Sequence, residues 1–239
     1  MTDNDVSVAR SANVDAVLFD AGGVLVLPDP TVLGPLLAPL GGDSSIDVHR
    51  RAHYYAMAHK SRVIAGESDW DEFDLAYVES VGVTVDERQH AAVVLGLTRT
   101  ALLWRWPIPE TVAAMAALAE SGVPMGVVSN ASGQIEAQLR RGGVCQVGPG
   151  AGAAMRCIVD SHVVGVAKPD PRIFEHALPA FPGIAPERIA YVGDSFTIDV
   201  AGARAAGLHP ILLDPYDDHP TADCDRIRSA GELLTGWFA

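Results

Sequence analysis

Short apolar runs, each closed by a turn-forming residue, recur along this chain with helical patterns between them. The first, Ala16 to Phe19, ends at Asp20 and continues into Gly22-Gly23, where glycine permits a sharp exit. Similar runs are Pro124 to Val128, Cys157 to Val159, Ile189 to Val192 and Pro210 to Leu213. None alternates apolar with polar residues, so each reads as a strand covered on both faces, as in a parallel sheet. A helix is predicted over Glu110 to Ser121, opening behind Pro109 and closing at Gly122. Asp170 and Pro171 supply an N-cap and a first-turn proline for a helix with Ile173, Phe174, Ala177 and Leu178 on one face. Another helix runs from Ile198 to Ala206 and stops at Gly207. Strands alternating with helices from residue 107 onward predict a Rossmann-like, doubly wound parallel α/β sheet.

Residues 28–106 break that rhythm, because their pattern is helical throughout: Ile46 to Ala65, Ser68 to Val81, and Asp86 to Trp104. Ser68 with Asp71 resembles a capping box, and Trp70, Phe73, Tyr77 and Val81 repeat at helical spacing. A helical block placed after the first strand of an α/β domain is most simply a lid. The expected organisation is therefore a core of residues 1–27 and 107–239 and an α-helical cap domain of residues 28–106. Its hinges are expected near Leu27-Pro28 and Trp106-Pro107.

Open parallel sheets bind ligands beyond the carboxyl ends of their strands. Asp20 follows the first strand, Ser129-Asn130 the second and Gly193-Asp194-Ser195 the fourth, while Lys168-Pro169-Asp170 lies just past the third. These residue types suit covalent catalysis on phosphorus. A carboxylate can attack, forming an acyl-phosphate. Two carboxylates make a hard-oxygen site suited to Mg²⁺, without which one anion could hardly approach another. An ammonium and a hydroxyl can hold the non-bridging oxygens as charge shifts.

Composition narrows the partners. Hydrophobic residues make up 49% of the 239 and the formal net charge is −13, so the chain can form a good core and repels nucleic acid and anionic lipid. Any small anionic substrate must therefore be drawn in locally, by a metal ion, a lysine or backbone N–H groups. The polar, acidic N-terminus is unlike a signal peptide, and the apolar stretch AVLFDAGGVLVL is short and interrupted by Asp20. A cytoplasmic location is expected. Cys145, Cys157 and Cys224 form no CxxC pair, which fits inert thiols in a reducing compartment.

The chain resembles the haloacid dehalogenase superfamily. FDAGGVLV resembles its first motif, VVSNAS the second, GVAKPDPRIF the third and YVGDSFTIDVAGARAAG the fourth. The resemblance implies a five-stranded Rossmann-like core with a helical cap between the first two motifs. The short segment from Ser129 to Lys168 leaves no room for a second cap. It also implies Asp20 as nucleophile, with Mg²⁺ held by Asp20, the Gly22 carbonyl and Asp194. Ser129, Asn130 and Lys168 would bind the phosphoryl group, and Asp199 would orient Lys168 or a metal-bound water.

One departure matters. Most phosphatases of this family carry a second aspartate two residues after the nucleophile, for proton transfer to the leaving group and from water. This chain has Gly22 there. Dehalogenases of the family also lack that aspartate, but they work without the metal, and the Gly193-Asp194-Ser195 stretch is of the metal-binding kind. The expected activity is thus a phosphomonoesterase, with haloacid dehalogenation or phospho-ligand binding without turnover as the alternatives.

Other features have plainer readings. Asp199 could be a first-turn acid serving a helix dipole, and Ser129 an N-cap. His49 and His53 are read as a solvated helix face, since no third ligand accompanies them. Trp104 and Trp106 are read as cap packing rather than cleft lining. GPGAGAA at residues 148–154 is read as a mobile loop rather than a dinucleotide motif.

Overall fold

A computed structural model describes residues 14–62 and 70–238. Strand β1 (Ala16–Phe19) is followed by β2 (Val26–Pro28), then by helices α1 (Pro30–Leu37), α2 (Ile46–Arg62), α3 (Asp71–Ser80) and α4 (Arg88–Thr98). The chain returns through β3 (Trp104–Pro107) to α5 (Pro109–Glu120), β4 (Met125–Ser129) and α6 (Ile135–Arg141). Next come β5 (Cys145–Val147), β6 (Ala153–Met155), β7 (Ile158–Asp160), α7 (Ser161–Val164) and α8 (Arg172–Glu175). Strand β8 (Ile189–Gly193), α9 (Ala201–Ala205), β9 (His209–Leu213) and β10 (Asp225–Ile227) complete the core.

Six strands form one parallel sheet in the order β10-β9-β8-β1-β4-β7. The five runs read from the sequence are all in it. The sixth, β10, is a three-residue edge strand whose Asp225 and Arg226 are only half-buried, so no apolar run announces it. Within β1, Val17 and Phe19 enter one apolar cluster while Ala16 and Leu18 enter the cluster on the opposite face. Successive strand residues point to opposite faces, and helices cover both, so the whole run must be apolar. Phe19 pairs with Val192 on one side and Val127 on the other. That register brings Asp20 level with the ends of β4 and β8, where strand order reverses and an open sheet forms its crevice.

The helical insertion leaves and rejoins the core through one antiparallel ribbon, β2 with β3, in which Leu27 faces Trp106. The helix expected from Asp86 to Trp104 is shorter. It starts at Arg88, ends at Thr98, and Trp104 is already a strand residue paired with Pro28. Tertiary pairing outweighs helical propensity in that last segment. Helix α1 was not anticipated; Asp29 caps it, its Oδ1 accepting from the Thr31 amide at 2.9 Å, with Pro30 in the first turn. The helix expected past Arg62 to Ala65, and the Ser68 cap, lie outside the described residues. Phe73, Tyr77 and Val81 enter a separate apolar cluster with Leu33, Met57 and Leu95, as their spacing requires.

Two other helices are more broken than their patterns suggest. The segment behind Asp170 holds only a four-residue helix before a 3₁₀ turn at Leu178–Ala180, though Ile173, Phe174 and Ala177 are buried as expected. The helix containing Ile198 begins with a π-turn at Phe196–Val200 before α9. GPGAGAA joins the short paired strands β5 and β6, and the Gln146 side chain ties it by donating to the Gly148 and Gly152 carbonyls and accepting from the Gly152 amide. The three cysteines are free, and burial pushes the Cys145 thiol up to about 12. Among the described residues no helix is long and apolar enough to cross a membrane.

Candidate active site

Each residue singled out at a strand end lies on one rim. Asp20 follows β1, Ser129 ends β4, Lys168 lies beyond β7, and Asp194 follows β8. Lys168 Nζ stands 2.9 Å from Asp20 Oδ1 and donates to Asp199 Oδ1 at 2.7 Å and to the Tyr191 hydroxyl at 2.7 Å. Tyr191 in turn donates to the Val128 carbonyl at 2.8 Å. Lys168 is 1% exposed, so these partners replace the water it has lost. Burial opposes its charge, but Asp199 and Asp20 outweigh that and hold the ammonium above its ordinary range.

Asp199 sits in the π-turn, a distortion often found at functional sites. Its Oδ2 accepts from the backbone amides of Asp194 and Ser195 at 3.1 and 3.0 Å. Both oxygens are therefore engaged, one on Lys168 and one on the loop that carries Asp194. A Cβ at residue 193 would come within 2.2 Å of Asp199 Cβ, so Gly193 is what lets the turn close. Asn130 clamps Lys168 from another side: its Oδ1 accepts from the Lys168 amide at 2.8 Å and its Nδ2 donates to the Lys168 carbonyl at 2.9 Å.

The ligand atoms of Asp20, Asp194 and Asp199 lie within 4.8 Å of one another. Three carboxylates face one ammonium, and Asp20 Oδ1 is buried without an aligned hydrogen-bond donor among the described residues. This hard-oxygen, net-negative donor set can hold a divalent metal ion. Burial pushes the Asp20 carboxyl up to about 7; Lys168 pulls it down while Asp199 and Asp194 push it further up. A carboxyl raised in the folded state holds more protons folded than unfolded between its two pKa values. Its contribution to stability therefore declines as pH rises from about 4 to about 7. A bound cation requires the ionised form and relieves that cost. We expect the rise in Tm on adding Mg²⁺ to be larger at pH 8 than at pH 5.5; an equal or reversed gain in calorimetric scans would contradict this.

The helical insertion closes the cleft, which encloses about 410 Å³. Its walls include His53, Met57, Trp70, Arg99 and Trp104, opposite Asp20, Ser129 and Lys168. The solvated face expected for His49 and His53 is not found. His49 is 2% and His53 1% exposed. His49 Nδ1 lies 2.8 Å from the Tyr77 hydroxyl and its Nε2 2.9 Å from the Asp43 carbonyl, while His53 Nε2 lies 2.8 Å from Asp194 Oδ2. The signal was present: His49, Ala52, His53, Ala56, Met57 and Lys60 form one helical stripe, and all are buried. Trp104 packs against the insertion as expected but also lines the cleft. Arg99, not anticipated, pairs with buried Asp74 and lies 4.5 Å from the Trp70 ring centroid. Burial, opposed by Asp71, draws its pKa down to about 10.

Gly22 does not adopt left-handed backbone geometry, so its conformation admits a side chain. The space is tight instead, since a Cβ there would stand 3.1 and 3.2 Å from Trp104 ring atoms and the indole would have to shift by a few tenths of an ångström.

A sequence profile for haloacid dehalogenase-like hydrolases matches residues 14–207. The phosphoserine phosphatase of Thermus thermophilus is 36% identical over 124 residues, which are 50% of this chain and 47% of that enzyme. The chain thus matches about half the length of that relative. The glyceraldehyde 3-phosphate phosphatase of Methanopyrus kandleri is 30% identical over 174 residues, 68% of this chain and 69% of that one. Among solved structures, a HAD phosphatase from Thermococcus onnurineus superposes with a TM-score of 0.57 at 22% identity, covering 95% of this chain and all of the other. At that identity the likeness concerns the fold.

Proposed function

Since the chain belongs to the haloacid dehalogenase-like hydrolases, we propose that it is an Mg²⁺-dependent phosphomonoesterase of a small phosphorylated metabolite. Residues 28–106 act as a cap on the core of residues 1–27 and 107–239, closing to exclude water from the reaction. Asp20 attacks phosphorus, an Oδ–P bond forms, and the ester P–O bond breaks with its electron pair on the departing oxygen. Water then cleaves the aspartyl-phosphate and restores Asp20. Lys168 and the Ser129 hydroxyl hold the non-bridging oxygens, Asn130 and Asp199 fix Lys168, and Asp199 also shapes the loop that carries Asp194. Asp20, Asp194 and the Gly22 carbonyl would hold Mg²⁺, whose chemistry is to neutralise charge so that carboxylate and phosphate can meet.

The surplus of carboxylate over ammonium carries this reading. Without a cation such a site repels a phosphate ester, and a dehalogenase that works without metal has no use for the third carboxylate. Released phosphate measured across a panel of phosphorylated metabolites, with Mg²⁺ and with chelator, tests it. Metal-dependent release supports it. Metal-independent chloride release from a haloacid, or ligand binding without turnover, would replace it.

Gly22 and Trp104 favour the dehalogenase alternative, since neither can protonate a leaving group. In a phosphatase they have a measurable consequence. General acid help is worth about 10²–10⁴-fold and matters most for basic leaving groups. We expect the rate to fall steeply with leaving-group pKa, so that aryl and acyl phosphates far outpace alkyl phosphates. Gly22→Asp should raise alkyl-phosphate turnover, and more so when Trp104 is also reduced to alanine. A flat dependence, with chemistry shown to limit the rate, would refute the missing-acid account.

A further inference from the structure

Two consecutive residues of α2 reach across from the insertion to the loop after β1 and to the metal-type carboxylate after β8. The Tyr54 hydroxyl donates to the Gly23 carbonyl at 2.7 Å, and His53 Nε2 lies 2.8 Å from Asp194 Oδ2. Neither His53 nor Asp194 is open to solvent. The contact depends on residue 23 being glycine. Gly23 has φ +72°, and a Cβ there would stand 1.8 Å from Asp194 Oδ2 and 2.7 Å from His53 Nε2. Packing sets the imidazole in place, with Tyr54, Phe73 and Trp104 edge-on at centroid distances of 5.2, 5.8 and 5.5 Å.

The contact with Asp194 requires a hydrogen on Nε2. Nδ1 is buried and has no hydrogen-bond partner among the described residues. A neutral ring protonated there would bury an unpaired donor and set two acceptors against each other at Asp194. The tautomer that satisfies the site carries its hydrogen on Nε2 and donates it to the carboxylate.

Resting on the placement of Mg²⁺ at Asp20 and Asp194, we propose that His53 is a positioning residue through which closure of the cap strengthens the metal site. Its Nε2–H holds one oxygen of Asp194 and so fixes the carboxylate that would take the cation. Hydrogen bonds to ligating carboxylates commonly contribute 10–100-fold to metal affinity. Here the donor belongs to the insertion, so it is in place only when the insertion lies against the core. By linkage, whatever factor closure adds to Mg²⁺ affinity, Mg²⁺ adds to closure. Other polar contacts of α2 with the core, Arg51 to Asp218 at 2.7 and 2.8 Å, Arg62 to the Asp218 carbonyl at 2.9 Å and Arg50 to Glu110 at 2.5 Å, do not touch the carboxylate cluster and so cannot transmit the effect in this way.

The test is calorimetric titration of Mg²⁺ into the metal-free full chain, for wild type and three variants. His53→Phe keeps an aromatic ring and removes the donor, and should weaken Mg²⁺ binding by about 10–100-fold. His53→Gln can place an amide N–H where Nε2 stands and should recover most of the affinity, whereas the shorter His53→Asn should not. Should His53→Phe fail to fold, the contrast between Gln and Asn decides. Mg²⁺ should also change the emission of Trp104, beside the His53 ring, in wild type and the Gln variant more than in the Phe variant. Wild-type Mg²⁺ affinity in His53→Phe, or equal affinity in the Gln and Asn variants, would overturn the proposal. Absence of Mg²⁺ binding by wild type would instead overturn the metal reading and this inference with it.

Discussion

Asp20→Asn is expected to reduce phosphatase turnover to background while leaving the fold at least as stable as before. Amide and carboxylate are nearly equal in volume, so packing is preserved, but the amide is a poor nucleophile. Removing a covalent nucleophile costs on the order of 10⁶-fold where it has been measured in a serine protease. Stability should move the other way. Burial raises the Asp20 carboxyl to about 7, so the ionised group opposes folding near neutral pH when no metal is bound. A neutral amide removes that cost, although Lys168 loses one of its two carboxylate partners. Melting curves of the metal-free proteins at pH 8 should therefore place the variant at or above wild type. Turnover above a few per cent of wild type, in a preparation free of contaminating phosphatase, would sink the covalent mechanism.

Lys168→Met should damage both activity and stability. Lys168 is the ammonium between Asp20 and Asp199, and Asp199 is almost completely buried. Breaking a buried pair from one side typically costs about 3–5 kcal/mol, because the remaining charge has neither partner nor water. Mg²⁺ held by Asp20 and Asp194 would compensate Asp20 directly and Asp199, which is not among its proposed ligands, less completely. We therefore expect a denaturant midpoint well below wild type that Mg²⁺ only partly restores. Loss of a transition-state donor alone is worth about 10²–10³-fold in turnover, and displacement of Asp20 adds to it. A variant with wild-type stability would show that the Lys168–Asp199 pair is not the strut described above.

The sheet was legible because strands covered on both faces must be apolar throughout, and five such runs stand out against their helical surroundings. The sites at their ends followed, since a parallel sheet delivers all its carboxyl ends to one rim. Edge strand β10 was not legible, because exposure releases it from that requirement. The stripe on α2 is legible too, but its histidines, with no third metal ligand beside them, read as a solvated face. Their burial depends on partners that helical periodicity does not relate to them: Asp43, six residues before His49 and outside α2, and the distant Tyr77 and Asp194.

The sequence by itself determined the fold class, the helical insertion and the set of ionisable groups, because these depend on local periodicity and on which residue types occupy strand ends. Tertiary structure alone decided how those groups are shared. Asp199 spends both oxygens on Lys168 and the Asp194 loop, Trp104 fills the space beside Gly22, and a cap histidine holds a core carboxylate. Each is a contact within hydrogen-bonding or van der Waals reach between residues that no periodicity relates. Such contacts depend on how helices and loops pack to within a fraction of an ångström, which is settled only when the whole chain has folded.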